Sequence, residues 1–398
     1  MRIMEVTSIQ DAVPPPRKSK SIHWMTPKNK RPHEAAFPSI GVWALEVCRM
    51  NESATSVGSQ RLPGKYKVMS NLKQVHIVSA VEALSSPRLS NYRRFFGTAC
   101  DRAAYGLYCW NDAISGELAR ILALAEIALR NQLHFALSRR FGVGTGTSAD
   151  WYNHLALDPK SREAVRKVTH HMIRASQTLQ NVPRTPVPSP DDVISKLTFG
   201  FWPHLLDVRS TVSGSALQWS EILTEAFPGH RHSSLNFWDK QRNRDSLYAR
   251  IDYCKDLRNR IAHLEPVWKS GPLFEERRAR PNRPPRRVKG PPATPTEAIA
   301  RLQLSYDRAL ELLSWLSPGL REVYLAGESP HRFSMLNRLE SLDAYQRHAG
   351  HRREAPINLN AHRSLRQLKN ELRRIGRRHG IVEVTHAGKA IAWWHPIN

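Results

Sequence analysis

Cysteine is scarce: Cys48, Cys100, Cys109 and Cys254 are the only four in 398 residues. None forms a Cys-x-x-Cys pair and no Cys/His spacing fits a zinc site, so neither a disulfide scaffold nor a structural zinc is expected, and no cofactor is implied. Long apolar runs are missing as well. No stretch approaches the ~18 uninterrupted apolar residues of a membrane-spanning helix, which excludes membrane channels and carriers of the helical type from the expectation. The opening MRIMEVTSIQDAVPPP has no continuous apolar segment of the secretory kind, so a cytoplasmic location with reduced thiols is expected. Acidic residues are few: 35 Asp+Glu face 60 Lys+Arg, a formal charge of +25. A charge of that size repels itself unless an anion neutralises it, and nucleic acid is the first candidate. Aromatic residues are plentiful by contrast (11 Trp, 11 Phe, 10 Tyr), enough to fill a real core and exclude wholesale disorder.

Three regions differ in texture. Residues 1–85 are rich in Pro, Ser and Lys/Arg (PPPRKSK, TPKNKRP, RLPGKYK) and read as a mostly flexible basic arm with one or two local elements. From 86 onward helical periodicity sets in. A first helix carries Leu89, Tyr92, Phe95 and Phe96, and after a break near Asp101 residues 102–109 are helical again. The strongest pattern follows from Trp110, where Ile114, Leu118, Ile121, Leu122, Ala125, Leu129, Leu133, Ala136 and Leu137 form one wide apolar stripe. Further helices are predicted over 158–181, after Asp191–Asp192, over 219–227, over 241–265 up to Pro266, and from a capping box at Thr294-Pro295-Thr296-Glu297 to Pro318. Residues 269–293 (RRARPNRPPRRVKGPP within them) read as an exposed basic insertion. Beyond 326 the chain is a basic extension: one short helix over 329–345, then nine Arg/Lys against two Glu in 351–379, a basic helix over 363–378 and a hairpin around His386-Ala387-Gly388. The fold class expected is all-α, a helical bundle with a flexible arm and a small basic helix plus β-hairpin at the end.

The chemistry-bearing stretch is Arg258-Asn259-Arg260-Ile261-Ala262-His263-Leu264-Glu265-Pro266, a polar cluster ending an apolar-faced helix. At 100° per residue Asn259 and His263 share a face, whereas Arg258 lies about 140° from His263. Either the last turn distorts, or a second copy of the helix brings the pair together. On the bland reading, the arginines are solvated and the imidazole merely caps carbonyls at the helix C-terminus. Glu126 and Arg130, at i,i+4, suit an ordinary intrahelical ion pair. Trp110 and Trp202 suit core anchors, and His170, His171, His230 and His232 suit the surface.

Four stretches in order, Leu107-Tyr108-Cys109-Trp110-Asn111, Glu126-Ile127-Ala128-Leu129-Arg130-Asn131, Leu197-Thr198-Phe199-Gly200-Phe201-Trp202 and Arg258-Asn259-Arg260-Ile261-Ala262-His263 followed by Glu265-Pro266, resemble the Abi-like (abortive infection) proteins of the HEPN ribonuclease superfamily. The resemblance covers about 86–325 and departs at the arm, the 269–293 insertion and the extension over 326–398. It implies a HEPN-like bundle and metal-independent RNA cleavage in antiviral defence, at a composite site shared by two subunits of a homodimer. Carried over, Arg258 and His263 are the catalytic pair and Asn259 a polar helper, while Glu126, Arg130, Asn131 and Arg260 line or brace the site. The residue types suit attack of a ribose 2′-OH on its phosphate: imidazole moves the proton and a guanidinium fork holds the developing charge. Arg277, Arg278, Arg363, Arg366, Arg373 and Arg374 are the candidate RNA contacts outside that centre. The competing reading is a non-catalytic scaffold that works with a non-coding RNA.

Overall fold

The computed structural model describes residues 74–142, 148–175, 178–348, 352–353, 357–361, 364–376, 380–387 and 389–394. Among them the fold is mostly helical. The helices are α1 (Gln74–Leu84), α2 (Ser86–Phe96), α3 (Asp101–Phe141), α4 (Pro159–Thr169), α5 (Pro190–Lys196), α6 (Phe201–Leu205), α7 (Trp219–Ala226), α8 (Leu235–Trp238), α9 (Gln241–Ala262), α10 (Pro295–Leu316), α11 (Pro318–Leu325), α12 (Glu328–Leu336), α13 (Leu339–His348) and α14 (Leu365–Gly376). The paired strands are β1 (His170–Ala175) with β2 (Thr178–Pro183), β3 (Leu273–Phe274) with β4 (Arg287–Lys289), and the set β5 (Arg352–Arg353), β6 (Ile357–Asn358), β7 (Gly380–His386) and β8 (Lys389–Trp394). No helix among the described residues is long and apolar enough to cross a membrane.

Everything is built on α3. The two helical segments read on either side of Cys109 are one helix of 41 residues, about 60 Å long at 1.5 Å per residue. Its stripe from Leu107 to Leu137 is fully buried, so it forms the axis on which α7, α10, α12 and α13 pack. Trp110 and Trp202 are both completely buried. Of the basic arm, residues 1–73 lie outside the described residues. The remainder holds one local element, α1, on which Ile77 and Val81 sit one turn apart and both enter the core.

Four other features differ from the sequence reading. The helix expected over 158–181 stops at Thr169, and the chain turns back as the β1–β2 hairpin, its base closed by Arg184 N–H on Thr169 O. The apolar stripe that carries α4 ends with it: Met172 and Ile173 face solvent, so nothing rewards a further helical turn. The single helix foreseen over 329–345 is two, α12 and α13, and Leu342 and Tyr345 join the main core. The insertion 269–293 is anchored rather than free. Buried Arg250 on α9 grips Glu276 with two bonds (2.6 and 2.7 Å) and Glu311 with a third (2.7 Å), its guanidinium 4.6 Å from the Trp315 ring centroid. His230, expected at the surface, is wedged among Phe237, Trp238 and Trp315. Gly229 beside it tolerates no side chain, since a Cβ there would lie 2.1 Å from Ser314 O.

The capping box at α10 forms with a one-residue offset: Thr294 Oγ1 accepts the Glu297 N–H, and the Glu297 carboxylate accepts the N–H of Ala293. At the C-terminal end, β7 pairs antiparallel with β8 and parallel with both β5 and β6. Ile357 is buried there against Leu359, Leu368 and Leu372, a cluster of its own separate from the main core.

Candidate functional site

Helix α9 is regular through Ala262, and His263 still donates its N–H to Asn259 O at 2.9 Å. The helix therefore ends earlier than the expected boundary at Pro266, and by a different device. Leu264 adopts φ +54°, Leu264 N–H returns to Ile261 O and Glu265 N–H to Arg260 O, both at 2.9 Å. This is the Schellman arrangement, normally completed by glycine. A leucine in the left-handed region costs about 1–2 kcal/mol, so the backbone next to His263 is strained. Because the last turn does not unwind, the rotation of about 140° between Arg258 and His263 is unrelieved within one chain.

The turn beyond is pinned from two sides. Arg260 donates to Lys269 O (2.8 Å) and Pro266 O (3.3 Å) and lies 3.4 Å from the Glu265 carboxylate. Asn111 on α3 accepts the buried Val267 N–H at 2.9 Å, and Trp268 packs on Tyr92, Phe95 and Phe96. Arg260 thus braces the turn. Asn111, quoted above only as part of a motif, does the same from the other side.

Arg258 faces α3. Its Nε lies 3.6 Å from Glu126 Oε2, with the side chains 30% and 17% exposed, and its Nη1 donates to Asn259 Oδ1 at 3.5 Å. The Glu126 carboxyl also takes a hydrogen bond from the Phe199 backbone and feels Arg130. Burial nevertheless outweighs these favourable groups and holds its pKa above the ordinary glutamate value. Arg130 donates to Ser195 O at 2.6 Å, which ties the end of α5 to α3. Residues from three of the four stretches (Glu126 and Arg130, Phe199, Arg258 and Asn259) are therefore one contact set. Lys255, one turn before Arg258, is held by Asp252 (2.6 Å) and Asp256 (2.9 Å). It was not foreseen, although the acidic residues at i−3 and i+1 are visible in the sequence.

His263 is exposed at the helix cap, and Asn131 is exposed on α3. A groove of about 730 Å³ opens beside the turn between Arg94, Phe95, Arg260, Trp268, Lys269 and Pro291–Ala293. Arg258 and His263 flank this region without lining the groove. Of the arginines expected on RNA, Arg277 donates to Pro284 O (2.6 Å) and pairs with Glu275 (2.8 Å). Arg278 pairs with Asp207 and stacks 4.0 Å from the Tyr248 centroid, and burial lowers its pKa to about 10. Both side chains thus serve the fold of the insertion. Arg363 lies outside the described residues. Arg366 and Arg373 are exposed on α14, and Arg374 is 3.3 Å from Glu371.

A second constellation carries Ser, His and Asp but not the order that nucleophilic catalysis needs. Buried His134 accepts from Trp151 Nε1 at its Nδ1 (2.9 Å), while Ser148 Oγ (3.0 Å) and Asp191 Oδ1 (3.2 Å) both lie on Nε2. A base between nucleophile and acid uses its two nitrogens for them separately. Here one nitrogen serves both and tryptophan holds the other, so the group ties α3 to α5 and the 148–151 segment. Comparison with protein-family profiles, with curated proteins and with solved structures returns no match.

Proposed function

We propose that the chain is a metal-independent endoribonuclease of bacterial antiviral defence, an abortive-infection protein of the HEPN type. It cuts RNA by attack of a 2′-OH on the adjacent phosphodiester. The observation that carries this reading is the contact of Glu126 and Asn259 with Arg258, the Phe199 backbone on the same Glu126 carboxyl, and a solvent-facing His263 five residues on, held at a strained cap. In the reaction His263 takes the 2′-OH proton and returns one to the 5′-oxygen leaving group. Arg258 holds the pentavalent phosphate, with Glu126 and Asn259 fixing its fork. The chain terminates in a 2′,3′-cyclic phosphate on one fragment and a 5′-OH on the other.

Since Arg258 and His263 do not meet on one straight helix, the working site is composite, made by two α9 ends across a two-fold axis. A face for the second copy is at hand. Ile127 and Phe135, 46% and 47% exposed, bracket Asn131 at i,i+4 spacing on α3, beside Glu126 and Arg130. Apolar side chains in such a row are what a self-complementary interface covers.

The test is cleavage of end-labelled RNA with EDTA present by wild type, R258A and H263A. A loss of about 10²- to 10⁴-fold is expected for H263A, the range for a general acid–base. Variants that cut as well as wild type, or cleavage that EDTA abolishes, overturn the mechanism. RNA bound equally by all three proteins with no cleavage by any favours the scaffold reading, which the neutralising Glu126–Arg258 contact also suits.

A further inference from the structure

We infer that the C-terminal β5–β6–α14–β7–β8 unit is an RNA anchor that grips the phosphate backbone through Arg366, Lys369 and Arg373 without reading bases. The inference rests on the RNA-directed reading above and adds a second, non-catalytic contact to it. It starts from how α14 divides its faces. Leu368 and Leu372 turn inward onto Ile357, which is 2% exposed. At 100° per residue Arg366 and Arg373 lie within about 20° of each other, with Arg366 opposite Leu368, and Lys369 lies about 60° from Arg366, at the edge of the leucine face. All three cations are exposed, and among the described residues none of them is in an ion pair, whereas the neighbouring Arg374 has Glu371 at 3.3 Å. Their row is about 10 Å long along the axis, the length of about three phosphates of one strand at 3.4 Å per charge.

Two other partners fit less well. An interfacial membrane helix needs its apolar face free to enter the lipid, and here Leu368 and Leu372 of that face pack on Ile357, which leaves Leu365 at the start of the helix exposed. Base-specific readout of single strands depends on splayed bases stacked on aromatic rings, and the exposed face of α14 (LRQLKNELRRIG) carries none. Guanidinium and ammonium groups on a helix held against a small sheet supply what phosphates need: fixed positive charge at modest desolvation cost.

The full-length protein tests this. Affinity for a fluorescein-labelled 20-nucleotide RNA is measured by anisotropy from 50 to 200 mM salt for wild type, R366Q/K369Q/R373Q and R366K/R373K. Three lost phosphate contacts make the slope of log affinity against log salt shallower by about 2 on a single strand, so the deficit of the triple variant shrinks about 20-fold over that range. The lysine variant keeps the wild-type slope, which separates charge from helix integrity, and two RNAs of unrelated sequence behave alike. An unchanged slope in the triple variant overturns the anchor, as does binding to phosphatidylserine vesicles in place of RNA. The two readings fail separately. Unimpaired cleavage by H263A together with a flattened slope in the triple variant defeats only the catalytic proposal. Loss of cleavage in H263A with an unflattened slope defeats only the anchor.

Discussion

Glycine and alanine should exchange their usual ranking within two residues of each other at the end of α9. Ala262 is the last helical residue, where alanine is the better choice and A262G costs about 0.5–1 kcal/mol. Leu264 sits at φ +54° with its side chain 59% exposed. L264A and L264G both remove that side chain, but only glycine relieves the left-handed strain of about 1–2 kcal/mol, against an extra unfolded-state entropy of about 0.5–1 kcal/mol. L264G should therefore be more stable than L264A by about 0.5–1 kcal/mol. The comparison needs chemical denaturation with the slope m unchanged, so that the shift in midpoint reports stability alone. If L264A equals or exceeds L264G, the Schellman cap with a strained leucine is wrong, and with it the account of why His263 is fixed where the helix stops.

Two further outcomes follow from packing and charge. Burial among aromatic rings lowers the His230 pKa to about 4, and burial also lowers those of His134 and His204. Between the unfolded value near 6.5 and the folded value, the unfolded chain holds the extra proton, so stability falls as pH drops through 6.5 toward 4. H230F should flatten that acid slope in thermal melts, and an identical slope would contradict the burial. Arg250 is the anchor of the 269–293 segment. R250M leaves Glu311 without this partner and Glu276 with Arg308 alone, and should cost about 3 kcal/mol, the low end for breaking a buried pair because Glu311 is half exposed and Glu276 keeps Arg308. It should also speed tryptic cleavage between Arg277 and Arg287, and unchanged digestion would show that the segment is held elsewhere.

Much of this architecture is legible in the residues, and the failures have physical causes. The apolar stripe of α3 shows in the sequence because a helix buried along most of its length must repeat at 3.6 residues. The break near Asp101 is legible too: the first helix ends at Phe96 with Gly97 in the left-handed region, and Asp101 opens the first turn of α3. Proline restricts its predecessor and so points to an α9 boundary at Pro266, whereas the chain leaves the helix two residues earlier through Leu264 in a conformation that local propensity does not favour. The basic 269–293 insertion looked solvent-borne because composition does not reveal partners. Asp207, Asp245 and Glu311, which neutralise it or its anchor, come from three distant places. At the site, residue types and i,i+4 spacing pair Asn259 with His263, but only tertiary packing brings Glu126 to Arg258 and the Phe199 backbone to Glu126.

The most direct measurement is cleavage of an RNA in which the ribose at a mapped cut site is replaced by 2′-deoxyribose, with EDTA present and product ends determined. If Arg258 and His263 drive attack by the neighbouring hydroxyl, the modified position resists cutting, and the unmodified RNA yields a 2′,3′-cyclic phosphate paired with a 5′-OH. Scission at the deoxy position, or ends bearing a 5′-phosphate, would mean that some other nucleophile breaks the strand.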